Sequence, residues 1–168
     1  YCTEQENPVT THDLLEGEDV EYQEYTLVKF EHDPEGDSAD TTTVPMATLR
    51  PETVRGVTNA YINPESTYVE ATVDGESWLV SKEAAEKLDL QDHDVEIHRE
   101  FAGEEFVGEG VTNPVTGDEV VVLPAEFVDA DNATGVVMSV PAHSPDDYLA
   151  LQEAKANPDR LKSYGIDP

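Results

Sequence analysis

Residues 48 to 59 read Thr-Leu-Arg-Pro-Glu-Thr-Val-Arg-Gly-Val-Thr-Asn, and this run joins the end of a strand to a short helix. The segment from Thr41 to Leu49 is rich in β-branched residues, which predicts a strand that leads into the run. Pro51 favours the first turn of a helix, and Glu52 lies near its positive end. Gly56 would end that helix after little more than one turn.

The side chains of this run indicate one wall of a small-molecule pocket. The hydroxyls of Thr48 and Thr53 lie on either side of Arg50, so donors, acceptors and a positive charge are concentrated in six residues. Binding pockets use a few such polar groups to orient a ligand. A pocket needs a second wall, which must come from another part of the chain.

A second run, Thr134 to Asp147, supplies a candidate for that wall. Thr134 to Val140 is almost continuously apolar, which predicts a buried strand in a central position. Ser144 is a preferred N-cap residue, Pro145 suits the first helical position, and Asp147 would complete a capping box. Asp147 is therefore expected at the carboxyl end of a strand, beside backbone N–H groups that lack helical partners.

The remaining pattern predicts a mixed β/α fold with a β-barrel-like core and peripheral helices. Strands are short, no βαβ rhythm is present, and Asp74-Gly75 is a hairpin signal. We expect one domain over residues 1–168, with residues 1–19 and about 157–168 as linker or flanking segments. Further predicted strands are Val20–Phe30, Tyr61–Asn63, Tyr68–Val73, Ser77–Val80, Val95–Phe101, Phe106–Val111 and Glu119–Leu123, and further predicted helices are Ser81–Leu88 and Asp159–Tyr164.

The charge of the chain is extreme. Asp and Glu number 38 against 9 Lys and Arg, which gives a formal net charge of -29. Disorder would require low hydrophobicity and few aromatics, but 38% of the residues are hydrophobic, and seven Tyr, four Phe and one Trp are present. The acids are spread along the whole chain, which favours a folded protein adapted to high salt. In such salt, acidity neither supports nor excludes an RNA partner, because repulsion is screened.

Other features limit the possible chemistry. Cys2 is the single cysteine, so an intramolecular disulfide and a cysteine-rich zinc site are excluded. The histidines and neighbouring acids fit no metal-ligand spacing, so we expect no metal and no cofactor in this domain. No run of 18 apolar residues occurs, and no signal peptide opens the chain, so we expect a cytoplasmic location and no membrane partner.

Taken together, the two runs resemble the editing domain of leucyl-tRNA synthetases of the archaeal and eukaryotic cytosolic type. The run from Thr48 to Asn59, and Ser139-Val140-Pro141 leading to a Ser-Pro-Asp-Asp turn, are similar to the leucyl branch in particular, while isoleucyl and valyl enzymes share the general pattern. The His-Ile-Gly-His and Lys-Met-Ser-Lys-Ser signatures of the aminoacylation core are absent. The chain is therefore expected to be the inserted editing domain alone, from a haloarchaeon.

The resemblance implies hydrolysis of the ester that joins a wrong amino acid to the 3′ end of tRNA(Leu). For the leucine enzyme the wrong amino acids include isoleucine, norvaline and methionine. The implied partners are that tRNA end and the remainder of the parent synthetase, with the domain itself a monomer. Two alternatives stay open: a noncatalytic tRNA-binding or interdomain module, and an editing domain of the isoleucyl or valyl type.

The resemblance assigns roles to three residues. Asp147 would pair with the α-ammonium of the substrate, although a carboxylate at this place could equally serve as a helix cap. Thr53 would block the γ-branch of leucine and so protect the correct product, or it could be a solvated helix residue. Thr48 would contact the substrate or the hydrolytic water, or it could be a strand-edge residue.

Four further positions are candidates for substrate binding. Arg50 would hold the tRNA backbone or terminal ribose, unless it forms an ion pair with Glu52 or another acid. Met138 and Val140 would line the amino-acid pocket, or belong to the plain core. His143 could be a general base, but a histidine just before a helix is more often structural, and family members need no dedicated base. Two positions depart from the family pattern: Arg55, where an aromatic or apolar residue is expected, and Ala133, where glycine is usual.

The charge leads to a prediction about salt. We expect the melting temperature to fall when KCl is reduced from about 3 M to about 0.1 M, because the Debye length then grows from a few ångström to about 10 Å and the carboxylates repel one another. Thermal unfolding followed by circular dichroism measures this. Equal melting temperatures at the two salt concentrations would contradict the interpretation of the charge.

Overall fold

The computed structural model describes residues 24–34 and 41–167. The predicted linker at residues 1–19 and the start of the predicted strand at Val20 lie outside them. The described chain forms strands Thr26–His32 (β1), Thr42–Thr48 (β2), Asn59–Ile62 (β3), Thr67–Val73 (β4), Glu76–Ser81 (β5), Val95–Ala102 (β6), Gly110–Thr112 (β7), Glu119–Pro124 (β8) and Val136–Ser139 (β9). The helices are Lys82–Asp89 (α1), Pro145–Ala156 (α2) and Pro158–Ser163 (α3), with 3-10 helices at Pro51–Gly56 and Gly103–Phe106.

The strands form one sheet that curls back on itself. Their order is β6-β4-β5-β2-β1-β7-β8-β3-β9, and the pairs are antiparallel except for β2–β5 and β3–β8. Although β9 is last in this order, it packs beside β2, which is fourth. The six strands from β2 to β9 in the sheet order therefore surround a common interior. The predicted β-barrel-like core with peripheral helices is confirmed.

Two strand predictions differ from the structure. The strand over residues 134–140 is buried as expected, but β9 ends the strand order and is not central. β9 is buried because β2 packs beside it and because the α2–α3 pair, which covers β3, also covers Val137 of β9. Residues 106–109 are not a strand: Phe106 ends a 3-10 helix, and Gly108 has a φ of +95°, so β7 begins only at Gly110.

Most side chains of the core fill the interior of the curled sheet. Phe30, Met46, Ile62 and Tyr68 are completely buried there. Burying a side chain of this size contributes about 1.5–3 kcal/mol, so this cluster is the main source of stability. A second cluster lies between α1 and strands β4 and β5, and a third lies between the outer face of β3 and the α2–α3 pair.

The C-terminal segment packs onto this third cluster. Leu161 of α3 is buried against it, and α3 ends at Ser163, two residues before Gly165, whose φ is +75°. Gly165 N donates to Lys162 O, and Ile166 N donates to Leu161 O, as in a Schellman motif. The segment expected as flanking, about residues 157–168, thus contains α3, close to the helix predicted over Asp159–Tyr164.

The chain enters β9 through a loop that two hydroxyls hold in place. Ser81 Oγ donates to Ala130 O at 2.6 Å and accepts from Ala84 N at 3.1 Å, so one residue caps α1 and anchors the loop. Tyr68 Oη donates to Gly135 O at 2.7 Å and accepts from Asn63 N at 3.2 Å. Burial raises the pKa of Tyr68 to about 12, which keeps its hydroxyl available as a donor.

Ala133 in this loop is strained, and this predicts a stabilising substitution. Its φ is +52°, in the left-handed region that costs a residue with a Cβ about 1–2 kcal/mol. We expect Ala133→Gly to raise the free energy of unfolding by roughly 0.5–1 kcal/mol, after the extra entropy of the unfolded chain is subtracted. Urea unfolding measures the change.

Gly135 provides the matched control for Ala133, because it lies two residues away with a φ of +73°. A Cβ on Gly135 would meet Ser81 Cβ at 2.5 Å, so Gly135→Ala should destabilise the protein. If both substitutions had the same sign, the left-handed strain assigned to Ala133 would be wrong.

Candidate functional site

The two runs selected from the sequence lie side by side in the structure. Asn59 is directly opposite Ser139 in the β3–β9 ladder, and Thr58 N donates to Ser139 O at 3.1 Å. A Cβ on Gly56 would lie 3.7 Å from the His143 ring, so the end of the first 3-10 helix also contacts the turn before α2. The two runs are thus neighbours in the fold, and the pocket between them stays a prediction.

Asp147 is held differently from the capping box that the sequence predicts. Ser144 Oγ accepts from Asp147 N at 3.2 Å, so half of the box is formed. The Asp147 carboxylate, however, turns back toward β9, where Oδ2 accepts from Val140 N at 2.8 Å. Ser144 N donates to Val140 O instead, at 3.0 Å. The predicted reciprocal bond is wrong because the turn from 141 to 144 brings Val140 N closer to the carboxylate.

One oxygen of this carboxylate remains for another partner. Asp147 is half-buried, and its Oδ1 accepts no hydrogen bond from residues 24–34 or 41–167. A carboxylate oxygen near the N-terminus of a helix is a strong acceptor for an N–H donor, and strongest for a cationic one.

Thr53 is fixed in the first 3-10 helix. Its side chain is 7% exposed, and Oγ1 donates to Arg50 O at 2.8 Å. This bond uses the only hydroxyl proton and fixes the rotamer, so Thr53 presents a fixed shape to its surroundings. The alternative of a solvated helix residue does not agree with this burial.

Thr48 lies at the end of β2 and is half-buried. Its Oγ1 accepts from Arg50 N at 3.1 Å, which closes a small turn just before Pro51. Because the oxygen accepts and does not donate in this bond, the hydroxyl proton of Thr48 can still be given to another group.

Arg50 and His143 form the exposed rim of the site. Arg50 Nη2 approaches His143 O at 3.5 Å, which is a weak contact. Within the described residues neither Arg50 nor Arg55 forms an ion pair, so the alternative of a pair between Arg50 and Glu52 is not seen. Both guanidinium groups can therefore contact an anionic partner.

Met138 and Val140 are both buried. Met138 is 5% exposed and belongs to the barrel core, where it pairs with Ala60 across the β3–β9 ladder. Val140 is 7% exposed and follows β9 directly. Their predicted contact with a bound amino acid stays a prediction.

Sequence reasoning missed a set of buried polar side chains beside these residues. Asn113 Nδ2 donates to Val54 O at 2.8 Å and so holds the first 3-10 helix against the β7–β8 turn. Asn59, Tyr61 and Ser139 are buried where β3 meets β9. The signal that could have found them is a polar residue within an otherwise apolar strand, as at Asn59 and Ser139.

Two cavities lined by described residues lie away from the two runs. One of about 580 Å³ is lined by residues such as His32 and Arg99, and one of about 180 Å³ lies between Phe127 and the α2–α3 pair. Neither includes Thr48, Thr53 or Asp147, so the candidate site rests on the convergence of the two runs and not on the presence of a cavity. In the described part of the chain, no three His, Cys, Asp or Glu side chains are grouped so that they could hold a metal.

Comparison with known proteins agrees with this arrangement. The family model for "Leucyl-tRNA synthetase, editing domain" matches residues 28–157. The leucine–tRNA ligase of Pyrococcus furiosus is 58% identical over 165 residues, and that of Archaeoglobus fulgidus is 50% identical over 167 residues. These matches cover 96% and 99% of this chain but 17% of each ligase, so the chain spans about a sixth of its relatives' length.

Solved structures show the same fold. The crystal structure of GlLeuRS-CP1 has a TM-score of 0.77 at 27% identity, covering 86% of this chain and 65% of that one. The editing domain of the P. falciparum cytosolic leucyl-tRNA synthetase has a TM-score of 0.75 at 19% identity, covering 85% of this chain and 69% of that one. The architecture is that of a synthetase editing domain. The chain belongs to the leucyl-tRNA synthetase editing-domain family.

Proposed function

We propose that this domain hydrolyses the ester bond of mischarged aminoacyl-tRNA(Leu) carrying isoleucine, norvaline or methionine. The observation that supports this most directly is the position of Asp147, whose carboxylate is bonded to the end of β9 while Oδ1 can receive another donor. A second, hydrolytic site is needed because one methylene or a moved branch is worth only about 1–3 kcal/mol in an apolar pocket.

In this proposal each residue of the site has a separate role. Asp147 binds the α-ammonium, and the rigid Thr53 side chain excludes the γ-branch of leucine. The Thr48 hydroxyl donates to the substrate or to the attacking water. With no dedicated base required, the rate comes from placing the water and the ester correctly and from stabilising the oxyanion. Met138, Val140 and His143 border the amino-acid side of the site.

We further propose that Arg50 contacts the phosphate or ribose of the tRNA 3′ end. Phosphate is bound by Lys and Arg, and five of the nine cations are already paired with acids in the described structure: Lys29, Lys82, Lys87, Arg99 and Arg160. Arg50 is in no such pair and lies beside the site. The other proposed partner is the remainder of the parent synthetase, with the domain acting as a monomer in the cytoplasm.

The acidity supports an origin in a haloarchaeon. The ion pairs that Lys and Arg form in the described residues are exposed and join groups in direct contact, such as Lys82 with Glu100 at 3.0 Å. Direct contacts of this kind survive a Debye length of about 3 Å, whereas the general repulsion among carboxylates does not. No helix in the described residues is long and apolar enough to cross a membrane.

Two alternatives are separated from editing by one assay. A noncatalytic module would leave isoleucyl-tRNA and leucyl-tRNA equally stable, and an editing domain of the isoleucyl or valyl type would not act on tRNA(Leu). The assay measures deacylation of isoleucyl-tRNA(Leu) and leucyl-tRNA(Leu) by the full ligase that carries this domain, in concentrated KCl. Selective loss of the isoleucyl ester is the expected result, and hydrolysis of neither would refute the proposal.

Asp147→Ala should abolish deacylation of isoleucyl-tRNA(Leu) while the domain still folds. The substitution removes the ammonium partner, but Ser144 still caps α2. Deacylation and circular dichroism are measured together. Ser144→Ala is the matched control, since it removes the cap at a cost of about 1 kcal/mol and leaves the carboxylate. If Asp147→Ala only lowered the melting temperature, with activity intact, its carboxylate would be structural.

Thr53→Ala should allow the full ligase to hydrolyse leucyl-tRNA(Leu). Removing the buried hydroxyl and methyl groups opens space for the γ-branch of leucine, which the unsubstituted Thr53 is proposed to exclude. The expected result is a rise of at least about tenfold in the rate on the leucyl ester, a transition-state gain of about 1.4 kcal/mol, with the isoleucyl rate little changed. Unchanged selectivity would rule out Thr53 as the discriminating residue.

A further inference from the structure

Asn113 joins the β7–β8 turn to the 3-10 helix that carries Thr53. Its side chain is only 1% exposed, although residues 114–118 of the same turn are all exposed. Its Nδ2 donates to Val54 O at 2.8 Å, although 59 residues separate the two in the sequence. A buried polar side chain is expected to have a specific partner, and here that partner is the backbone of the residue next to Thr53.

The neighbours of the Asn113 amide fix its orientation. The backbone N–H groups of Val115 and Thr116 can only donate, and Oδ1 accepts from them at 2.9 and 3.4 Å. Val54 O can only accept, so the amide nitrogen faces the 3-10 helix. The backbone of Asn113 also closes the turn, since its N–H donates to Asp118 O at 2.8 Å. One residue thus holds the turn with its oxygen and its backbone, and the helix with its nitrogen.

The 3-10 helix needs support from outside itself. It has six residues, Pro51–Gly56, and Arg50 at its N-terminal end provides no side-chain cap. Hydrogen bonds of 3-10 type have poorer geometry than those of an α-helix, so such a short helix depends on tertiary contacts. Val54 supplies two of them, because its side chain is buried in the barrel core and its carbonyl accepts from Asn113. The residue that follows Thr53 is therefore fixed at both its side chain and its backbone.

We propose that Asn113 is a positioning residue for Thr53, which sets how far the Thr53 side chain extends into the site and so how strictly leucine is excluded. Thr53 Oγ1 donates to Arg50 O at 2.8 Å within the same helix, so the side chain moves together with the helix backbone. A displacement of about 1 Å at such a contact can change a rate about 100-fold, so a small movement of the helix is sufficient. This inference rests on the proposed editing function.

The test is Asn113→Asp in the full ligase, which keeps the size of the side chain and the oxygen that accepts from Val115 N. It replaces the donor to Val54 O by a second carboxylate oxygen, so the bond to the helix is lost. We expect kcat/KM for deacylation of leucyl-tRNA(Leu) to rise about tenfold, while that for isoleucyl-tRNA(Leu) changes less than about twofold. Asn113→Ala, which also removes the bonds within the turn, should change the ratio of the two rates in the same direction.

Asn63→Asp is the matched control. Asn63 has the same arrangement in another loop, since Oδ1 accepts from Glu65 N at 3.0 Å and Nδ2 donates to Val128 O at 3.0 Å. The substitution adds the same charge and removes the same type of bond, but its partner is not in the helix of Thr53. It should lower the melting temperature and leave the ratio of leucyl to isoleucyl rates unchanged. If the substitutions of Asn113 also left this ratio unchanged, Asn113 would be structural and the inference would be wrong.

A double substitution shows whether Asn113 acts through Thr53. In a Thr53→Ala background, Asn113→Asp should cause no further rise in the leucyl rate, and additive effects would overturn the inference. The unsubstituted ligase separates this inference from the proposed function. If that ligase hydrolysed neither ester, the proposed function itself would fail. If it hydrolysed isoleucyl-tRNA(Leu), and Thr53→Ala but neither substitution of Asn113 relaxed the selectivity, only the role assigned to Asn113 would fail.

Discussion

The hydrogen bond from the Val140 amide to the Asp147 carboxylate determines the geometry of the site. It is a charge-assisted bond of 2.8 Å that ties the first turn of α2 to the residue after β9. The carbonyl of Val140 accepts from His143 N and Ser144 N, so both polar groups of one residue hold the turn. Because this turn is held at both ends, α2 begins at a fixed place on the sheet, and the carboxylate faces β9 and not its own helix.

Strand β3 connects this geometry to the rest of the fold. Its alternation places Ala60 and Ile62 in the barrel and Asn59 and Tyr61 beneath α2, so a single four-residue strand contributes to two environments. The apolar face fixes the register with β9, since a slip of one residue would exchange the two faces. Stability of the barrel and placement of the polar groups under Asp147 therefore depend on the same pairing.

Local signals in the sequence could predict much of this structure. The hairpin at Asp74-Gly75 and the caps at Ser81 and Ser144 depend on neighbouring residues only, and all three are formed. The position of β9 could not be predicted in this way, because an apolar run indicates burial but not which strand lies beside it. Tyr61 was missed for a related reason: an aromatic residue in a strand predicts core packing, and only the pairing of β3 with β9 places it on the same face as Asn59 and Ser139.

Because Lys and Arg are scarce in this chain, those without an acidic partner are the groups most available to bind an anion. With 38 acids and 9 Lys and Arg, chance contacts would readily provide each cation with a carboxylate, as five cations in the described structure have. At a Debye length of about 3 Å, long-range attraction contributes little to RNA binding, and contact between groups must supply the specificity. A guanidinium already bound to an acid would lose that pair on meeting phosphate, whereas Arg50 has no such bond to break. The proposed contact between Arg50 and the tRNA end therefore requires no carboxylate to be displaced first.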